Sequence, residues 1–264
     1  MGRLIRMDFY RLVKSKLFII SLIVLFSLQL AIAFGIPILT DMIAHSFGNS
    51  EELKMDTVVK VSDILSNPMM SFFMIIMFIS AISFLFEDIR NGYIKNIAGQ
   101  ISKKGYTAIS KFIVVCFHNF VFMVVSVLGT LIGSAVCPKT YLSFDNAVFS
   151  GLVIFLVKVL LSFAMIAIIL FITTGLRNKT IASVIGVLFS LGALGLLYAG
   201  LDQLLSTIGI KNVNVENYIP DQLYNQSYDV AAFSAVINSV IVSVIFIVVF
   251  LSLTVMIFNK RDVK

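Results

Sequence analysis

"FEDIRNGYIKNIAGQISKKGYTAISKF", residues 86–112, decides how the rest of the chain is read. It carries seven charges: Glu87, Asp88, Arg90, Lys95, Lys103, Lys104 and Lys111. The runs on either side are apolar enough to belong in lipid. The whole chain has 264 residues, of which 59% are hydrophobic and only 13% charged. Its mean hydropathy is +1.02. Soluble domains are about 45–50% apolar and about 25% charged. A soluble fold of this size could not enclose so much apolar surface, so the composition predicts a membrane protein. Trp is absent, which leaves Tyr to supply any aromatic belt at the interfaces.

Six apolar runs are long enough to cross about 30 Å of hydrocarbon. They cover residues 17–36, 69–86, 112–136, 148–173, 181–201 and 231–258. The expected fold is therefore all-α and polytopic, one transmembrane domain over residues 1–264. The links "CPKTYLSFDN" and "TGLRNKT" read as loops that close helical hairpins. The basic N-terminus runs straight into an apolar stretch with no small-residue cleavage site, so a retained first span is expected.

Charge sets the orientation. With the N-terminus inside, the inner segments are 1–16, 87–111, 174–180 and 259–264. They hold five, five, two and three Lys and Arg residues. The outer loops 37–68, 137–147 and 202–230 hold two, one and one. Fifteen against four is a strong positive-inside bias, and it predicts cytoplasmic termini.

Residues 1–16 read as an amphipathic elbow helix in the inner headgroup layer. Ile5, Phe9, Leu12 and Val13 share one face, and Arg3, Arg6, Arg11 and Lys14 the other. In the first outer loop, "NSEELKMDTVVKVSDIL" predicts a short amphipathic helix capped by Ser50, with Leu53, Val61, Ile64 and Leu65 on one face. The last outer loop mixes apolar and polar residues and is expected to dip back toward the outer leaflet.

Within the opening stretch, Ile89, Tyr93, Ile97 and Ile101 recur every four residues, a helical stripe. Gly99 ends it, and "QISKKGY" reads as a turn exposing Ser102, Lys103 and Lys104. The residues alone leave two readings open. One is a solvated loop that only fixes topology. The other is a rigid knob, anchored to two spans, that meets a cytoplasmic partner.

Lys158 is the one basic residue inside a span, at a cost of about 2.5–3.5 kcal/mol on insertion scales. It either faces a wet cavity or snorkels along its own stem. Gln29, His118, Asn119 and Asn238 are also expected within the membrane, chiefly as interhelical hydrogen-bonding groups. "GTLIG", Gly129 to Gly133, permits close helix packing. Cys116 and Cys137 form no CxxC pair and read as small core residues, so no metal or redox site is expected. No HExxH or GxSxG is present, and no enzyme activity is expected.

The order of elements resembles the permease subunit of type-2 ABC exporters: elbow, span, outer loop, span, cytoplasmic coupling segment, four more spans. In that family the second span ends on an acidic residue, followed by E-x-x-x-G-x-x-K, a turn often reading P-x-S-R, and a Lys near the third span. Glu87 and Lys111 match the ends of this pattern. Gly92 comes one position late, Lys95 supplies the first Lys, and Ser102 and Lys103 stand for Ser-Arg. Gln100 replaces the frequent Pro. The resemblance implies a segment 87–111 that docks on an ATPase through Glu87, Arg90, Tyr93, Ile97, Ile101, Ser102, Lys103 and Lys104. The chain itself holds no G-x-x-x-x-G-K-[ST] phosphate loop and binds no cofactor, so ATP and Mg would belong to separate ABC ATPase subunits.

A second permease chain, identical or different, is implied, as are membrane lipids, with no nucleic acid. The chain is similar to bacterial plasma-membrane permeases that expel amphipathic or antimicrobial peptides. Lys158 and Gln29 are the expected polar residues of a translocation path. Export of a hydrophobic drug or antibiotic is the alternative cargo. A non-transporting scaffold or sensor subunit is the alternative class.

Overall fold

The computed structural model describes residues 1–46, 57–90, 105–176, 178–207, 215–226, 228 and 233–260. The chain opens with α1 (Gly2–Lys14), which ends where Ser15 turns extended. The long α2 (Lys16–Ser46) follows. Next come β1 (Thr57–Lys60), α3 (Val61–Ser66), α4 (Ser71–Arg90), α5 (Gly105–Val136), β2 (Thr140–Ser143) and α6 (Val148–Leu176). The last part holds α7 (Lys179–Ser190), α8 (Gly195–Thr207), a 3-10 turn (Val215–Tyr218), α9 (Pro220–Asn225) and α10 (Phe233–Lys260). Helix dominates, as the sequence predicts.

Four of these helices are long and apolar enough to cross a membrane: α2, α5, α6 and α10. The apolar parts of α4, Ser71–Glu87, and of α7 are shorter. Helix α6 is the most enclosed of the four, whereas α2 and α10 leave most of their apolar surface uncovered within this chain. Ile20, Ile23 and Leu39 of α2 and Ile245 and Val248 of α10 are among the exposed residues. Lipid or another apolar surface must cover them.

Several expectations change. The fifth span expected over 181–201 is instead two helices. Asn178 caps α7 by accepting from the N–H groups of Thr180 and Ile181. Then Gly192 turns to φ +65°, Gly192 N–H bonds Phe189 O at 3.2 Å, and Ala193 N–H bonds Leu188 O at 3.1 Å. That pair of bonds is a Schellman motif, and glycine tolerates the left-handed position without Cβ strain. At 12 residues, α7 is too short to span alone. The first span, expected to stop at 36, continues through Pro37 to Ser46.

In its described part, the segment expected as an amphipathic helix is strand over Thr57–Lys60 and helix over Val61–Ser66. Ser50 and Leu53 lie outside the described residues. Thr57, Val58 and Val59 are β-branched and favour an extended backbone. They pair in parallel with β2, Thr57 opposite Thr140 and Lys60 opposite Ser143. The link "CPKTYLSFDN", read as a plain loop, supplies that partner strand. Ser62 Oγ donates to Asp145 Oδ2 at 2.7 Å, and Lys139 lies 3.2 Å from Asp41, so β1, β2, α3 and the end of α2 form one cap, which the 3-10 turn, α9 and Tyr228 extend through the bond from Tyr224 OH to Met69 O.

The α2–α5 seam depends on missing side chains. A Cβ on Gly129 would lie 2.9 Å from Gln29 Cβ, and one on Gly133 would lie 2.8 Å from Ala33 Cβ and 2.9 Å from Leu30 O. The two glycines therefore let the helices touch through backbone. Gln29 then bridges the seam. Its Nε2 donates to Ser126 Oγ at 2.6 Å, and Thr130 Oγ1 donates to its Oε1 at 3.3 Å. Elsewhere Asn119 Nδ2 donates to Ser162 Oγ at 2.8 Å, joining α5 to α6. His118 Nε2 pairs with Ser80 Oγ at 3.0 Å, and Ser21 Oγ donates to the same Ser80 at 3.1 Å. Asn238 departs from the expectation, for it bonds Asn217 O in the cap rather than a neighbouring span.

The seam generates a paired test. Gly133→Ala overpacks it and is expected to destabilise the chain by about 1–3 kcal/mol. Gly35→Ala, where a Cβ meets nothing within 4 Å, is expected to be neutral or stabilising by up to about 1 kcal/mol. Thermal unfolding of purified protein, followed by a thiol-reactive dye on buried Cys116 and Cys137, measures both.

Candidate functional site

The fold concentrates polar chemistry at two ends of the helix bundle. At the first end, α1 lies across the start of α5. The elbow face is the expected one in part, for Ile5, Phe9 and Leu12 pack inward as predicted. Leu4, Asp8 and Leu12 point inward, with Ile5 and Phe9 packed beside them, while Val13 is exposed. Phe9 meets Phe117 of α5 at a ring separation of 4.5 Å.

Asp8 is 1% exposed. It accepts a hydrogen bond from Ser110 Oγ at 2.6 Å, and Arg11 Nη1 lies 3.7 Å from its other oxygen. Lys111 is buried beside this group, within the field of both Asp8 and Arg11. A buried carboxyl needs such partners, because an isolated one would have to give up its charge. The signal was present in the sequence: Asp8 shares the four-residue spacing of Leu4 and Leu12.

This end borders the charged stretch. Glu87 is exposed on the last turns of α4, and Arg90 is that helix's final residue. Tyr93, Ile97, Ile101, Ser102, Lys103 and Lys104 lie outside the described residues. Gly105 and Lys111 belong to the first two turns of α5. What is described is therefore the mounting on both sides of residues 91–104. One side is α4, whose Phe78, Ile82 and Leu85 sit in the core. The other is α5, fastened to α1 by the Asp8 group.

At the second end, Lys158 of α6 is 3% exposed. Its Nζ donates to Asn67 Oδ1 at 3.0 Å. It lies 5.3 Å from the Tyr224 ring and 5.9 Å from the Tyr228 ring. The acceptor is a neutral amide and the two rings supply cation–π attraction. Lys158 thus reaches up its own stem into the cap. Tyr224 OH donates to Met69 O at 3.2 Å, and burial pushes this phenol's pKa up, so it stays a donor. Tyr228 OH bonds Leu223 O at 2.7 Å and Ser239 Oγ at 2.8 Å. Nearby Asp221 is 1% exposed, and burial raises its pKa against the hydrogen bonds from Gln222 and Tyr198. Sequence reading missed Asn67, Tyr224 and Tyr228, which come from two separate connecting segments. Among the described residues Lys158 and Gln29 share no hydrogen-bond partner, and both ends of the Gln29 amide are engaged by α5.

A largely helical chain with four helices long and apolar enough to cross a membrane, no phosphate loop and polar clamps at opposite ends has the build of a transporter's membrane component. The chain matches the family described as ABC-2 family transporter protein over residues 4–195, and it belongs to that family. It is a multi-pass membrane permease of the ABC type, the transmembrane component rather than the ATPase. The matched region takes in α1, the charged stretch and α7, and it stops where α8 begins. A comparison with curated proteins finds no match.

The Lys158 clamp predicts a non-additive pair. Asn67→Ala alone leaves a buried ammonium short of an acceptor and is expected to cost about 1–3 kcal/mol. In a Lys158→Met background, where no charge remains to satisfy, the same change is expected to cost nearly nothing. A double-mutant cycle on thermal unfolding reads the difference.

Proposed function

We propose that this chain is the permease of an ATP-driven exporter that moves amphipathic or antimicrobial peptides out across a bacterial cytoplasmic membrane. Two separate ABC ATPase subunits and a second permease chain, identical or different, complete the transporter. The observation that carries this reading is the family match spanning the charged stretch in a chain without a phosphate loop. An ABC permease without its own ATPase must take its drive from a partner, and this stretch is the charged connector between α4 and α5.

In this reading both termini and residues 87–111 face the cytoplasm, as the distribution of Lys and Arg supports. Glu87, Arg90, Tyr93, Ile97, Ile101, Ser102, Lys103 and Lys104 form the face that sits in a cleft of the ATPase. ATP and Mg bind there, on the partner. Closure of the ATPase pair displaces the connector, and α4 and α5 carry the displacement into the bundle. The polar group around Asp8 makes α1 move with α5. Access to a path at the permease dimer interface changes as a result.

Lys158 is the path residue the geometry favours, because it is a buried cation under a cap that cargo must pass. Gln29 would meet cargo only where the α2–α5 seam opens. Amphipathic cargo is supported by the apolar, Phe-rich interior, which also leaves a hydrophobic drug or antibiotic as the second cargo.

The test is purification of the chain with its ATPase in lipid, and ATP hydrolysis by wild type and by Ile101→Asp/Lys103→Glu. The expected result is a stable wild-type complex whose hydrolysis responds to amphipathic peptides, and a variant that dissociates or loses that response while remaining folded. A wild-type chain that binds no ATPase contradicts the proposal. A stable complex whose hydrolysis ignores every cargo supports the scaffold or sensor reading instead.

A further inference from the structure

The described geometry at the start of α5 ties it to the last helix as well as to α1. Gly105 N–H, the first amide of α5, donates to Asn259 Oδ1 of α10 at 3.0 Å. The fit is close. A Cβ on Gly105 would lie 2.8 Å from Val255 Cγ1 and 3.2 Å from Asn259 Oδ1. Val255 and Asn259 are one turn apart, so the last two turns of α10 grip the start of α5, where it follows the charged stretch in sequence.

From that grip α10 runs 28 residues, about 40 Å at 1.5 Å per residue. It contains neither Gly nor Pro, the usual sites of a kink. Helix α2, by contrast, contains Pro37, and the fifth span breaks at Gly192. Along its length α10 rests on α6, where Phe250 meets Phe171 at 5.5 Å. At its far end it holds the cap. Ser239 pairs with Tyr228 OH, and Asn238 Nδ2 donates to Asn217 O at 3.0 Å. Tyr228 is one of the two rings over Lys158.

We infer that α10 is a stiff rod joining the connector's exit at Gly105 to the cap over Lys158, with Asn259 as the positioning residue that fixes its near end. This rests on the proposal that an ATPase displaces the connector, and it adds a route to the opposite end that avoids the broken fifth span. A shift of Gly105 moves Asn259, and a helix without a kink passes that shift to Ser239 and so to Tyr228. The cap then loosens over Lys158 when the ATPase closes.

The experiment is hydrogen exchange, read by mass spectrometry, on the full chain with its ATPase in lipid nanodiscs. Two segments are followed: the start of α5 and residues 220–225 of the cap. In the chain alone, Asn259→Ala should speed exchange of the Gly105 amide by about fivefold, the equivalent of one lost hydrogen bond. Asn259→Asp keeps the acceptor oxygen and should restore protection. In the complex, trapping with ATP and vanadate should change exchange at 220–225 in wild type and in Asn259→Asp. It should leave it unchanged in Asn259→Ala, although that complex still hydrolyses ATP.

An Asn259→Ala complex whose cap responds like wild type overturns the rod and leaves the permease proposal standing. A wild-type cap that ignores ATP while hydrolysis proceeds also overturns the rod. A wild-type chain that binds no ATPase overturns both.

Discussion

A single carboxyl, that of Asp8, organises one end of this molecule. It sits on the inward face of a short helix that is otherwise basic and apolar, and almost none of it reaches solvent. Such a group is costly unless it is bonded and balanced. The chain meets that cost with Ser110 Oγ at 2.6 Å and with the nearby cations Arg11 and Lys111. The consequence is mechanical. A helix that could have floated in the headgroup layer is fastened to the first turns of α5, next to the charged connector.

The same constraint recurs through the bundle. Where hydrocarbon supplies no partner, a polar side chain must find one in its own helix, as Thr173 and Ser243 do, or in a neighbouring one. Gln29 with Ser126, His118 with Ser80, and Asn119 with Ser162 place α5 at the centre of these bonds. Lys158 differs in its partners. It carries a charge and answers it with an amide and two aromatic faces drawn from the cap. Burial of the apolar helices holds the bundle together, and these few polar bonds set its registers.

Much of this was legible in the sequence. Hydropathy located the apolar helices, and GTLIG marked the seam where Gly129 and Gly133 meet α2. The stripe in 1–16 marked α1, and Ile5, Phe9 and Leu12 do pack inward; the stripe did not include Leu4 and Asp8, which share the spacing of Leu12, and Val13 is exposed. The unbroken fifth span was an error of composition over local chemistry. The run is apolar throughout, yet "SLGALG" holds the glycine that a Schellman stop uses. The strand pair was out of reach, since β1 and β2 are short and lie 83 positions apart in register. The partners of Lys158 were hidden for the same reason, coming from distant loops that only the fold brings together.

The proposed account stands on the segment between α4 and α5 facing an ATPase while the cap faces the other way. Site-specific photocrosslinking tests this most directly, with a photoreactive amino acid at Tyr93 in the connector or at Tyr141, an exposed residue of the cap. The account predicts a covalent adduct with the ABC ATPase from position 93 and none from position 141. No adduct from 93 in an ATPase-containing membrane, or an adduct from 141, would contradict it.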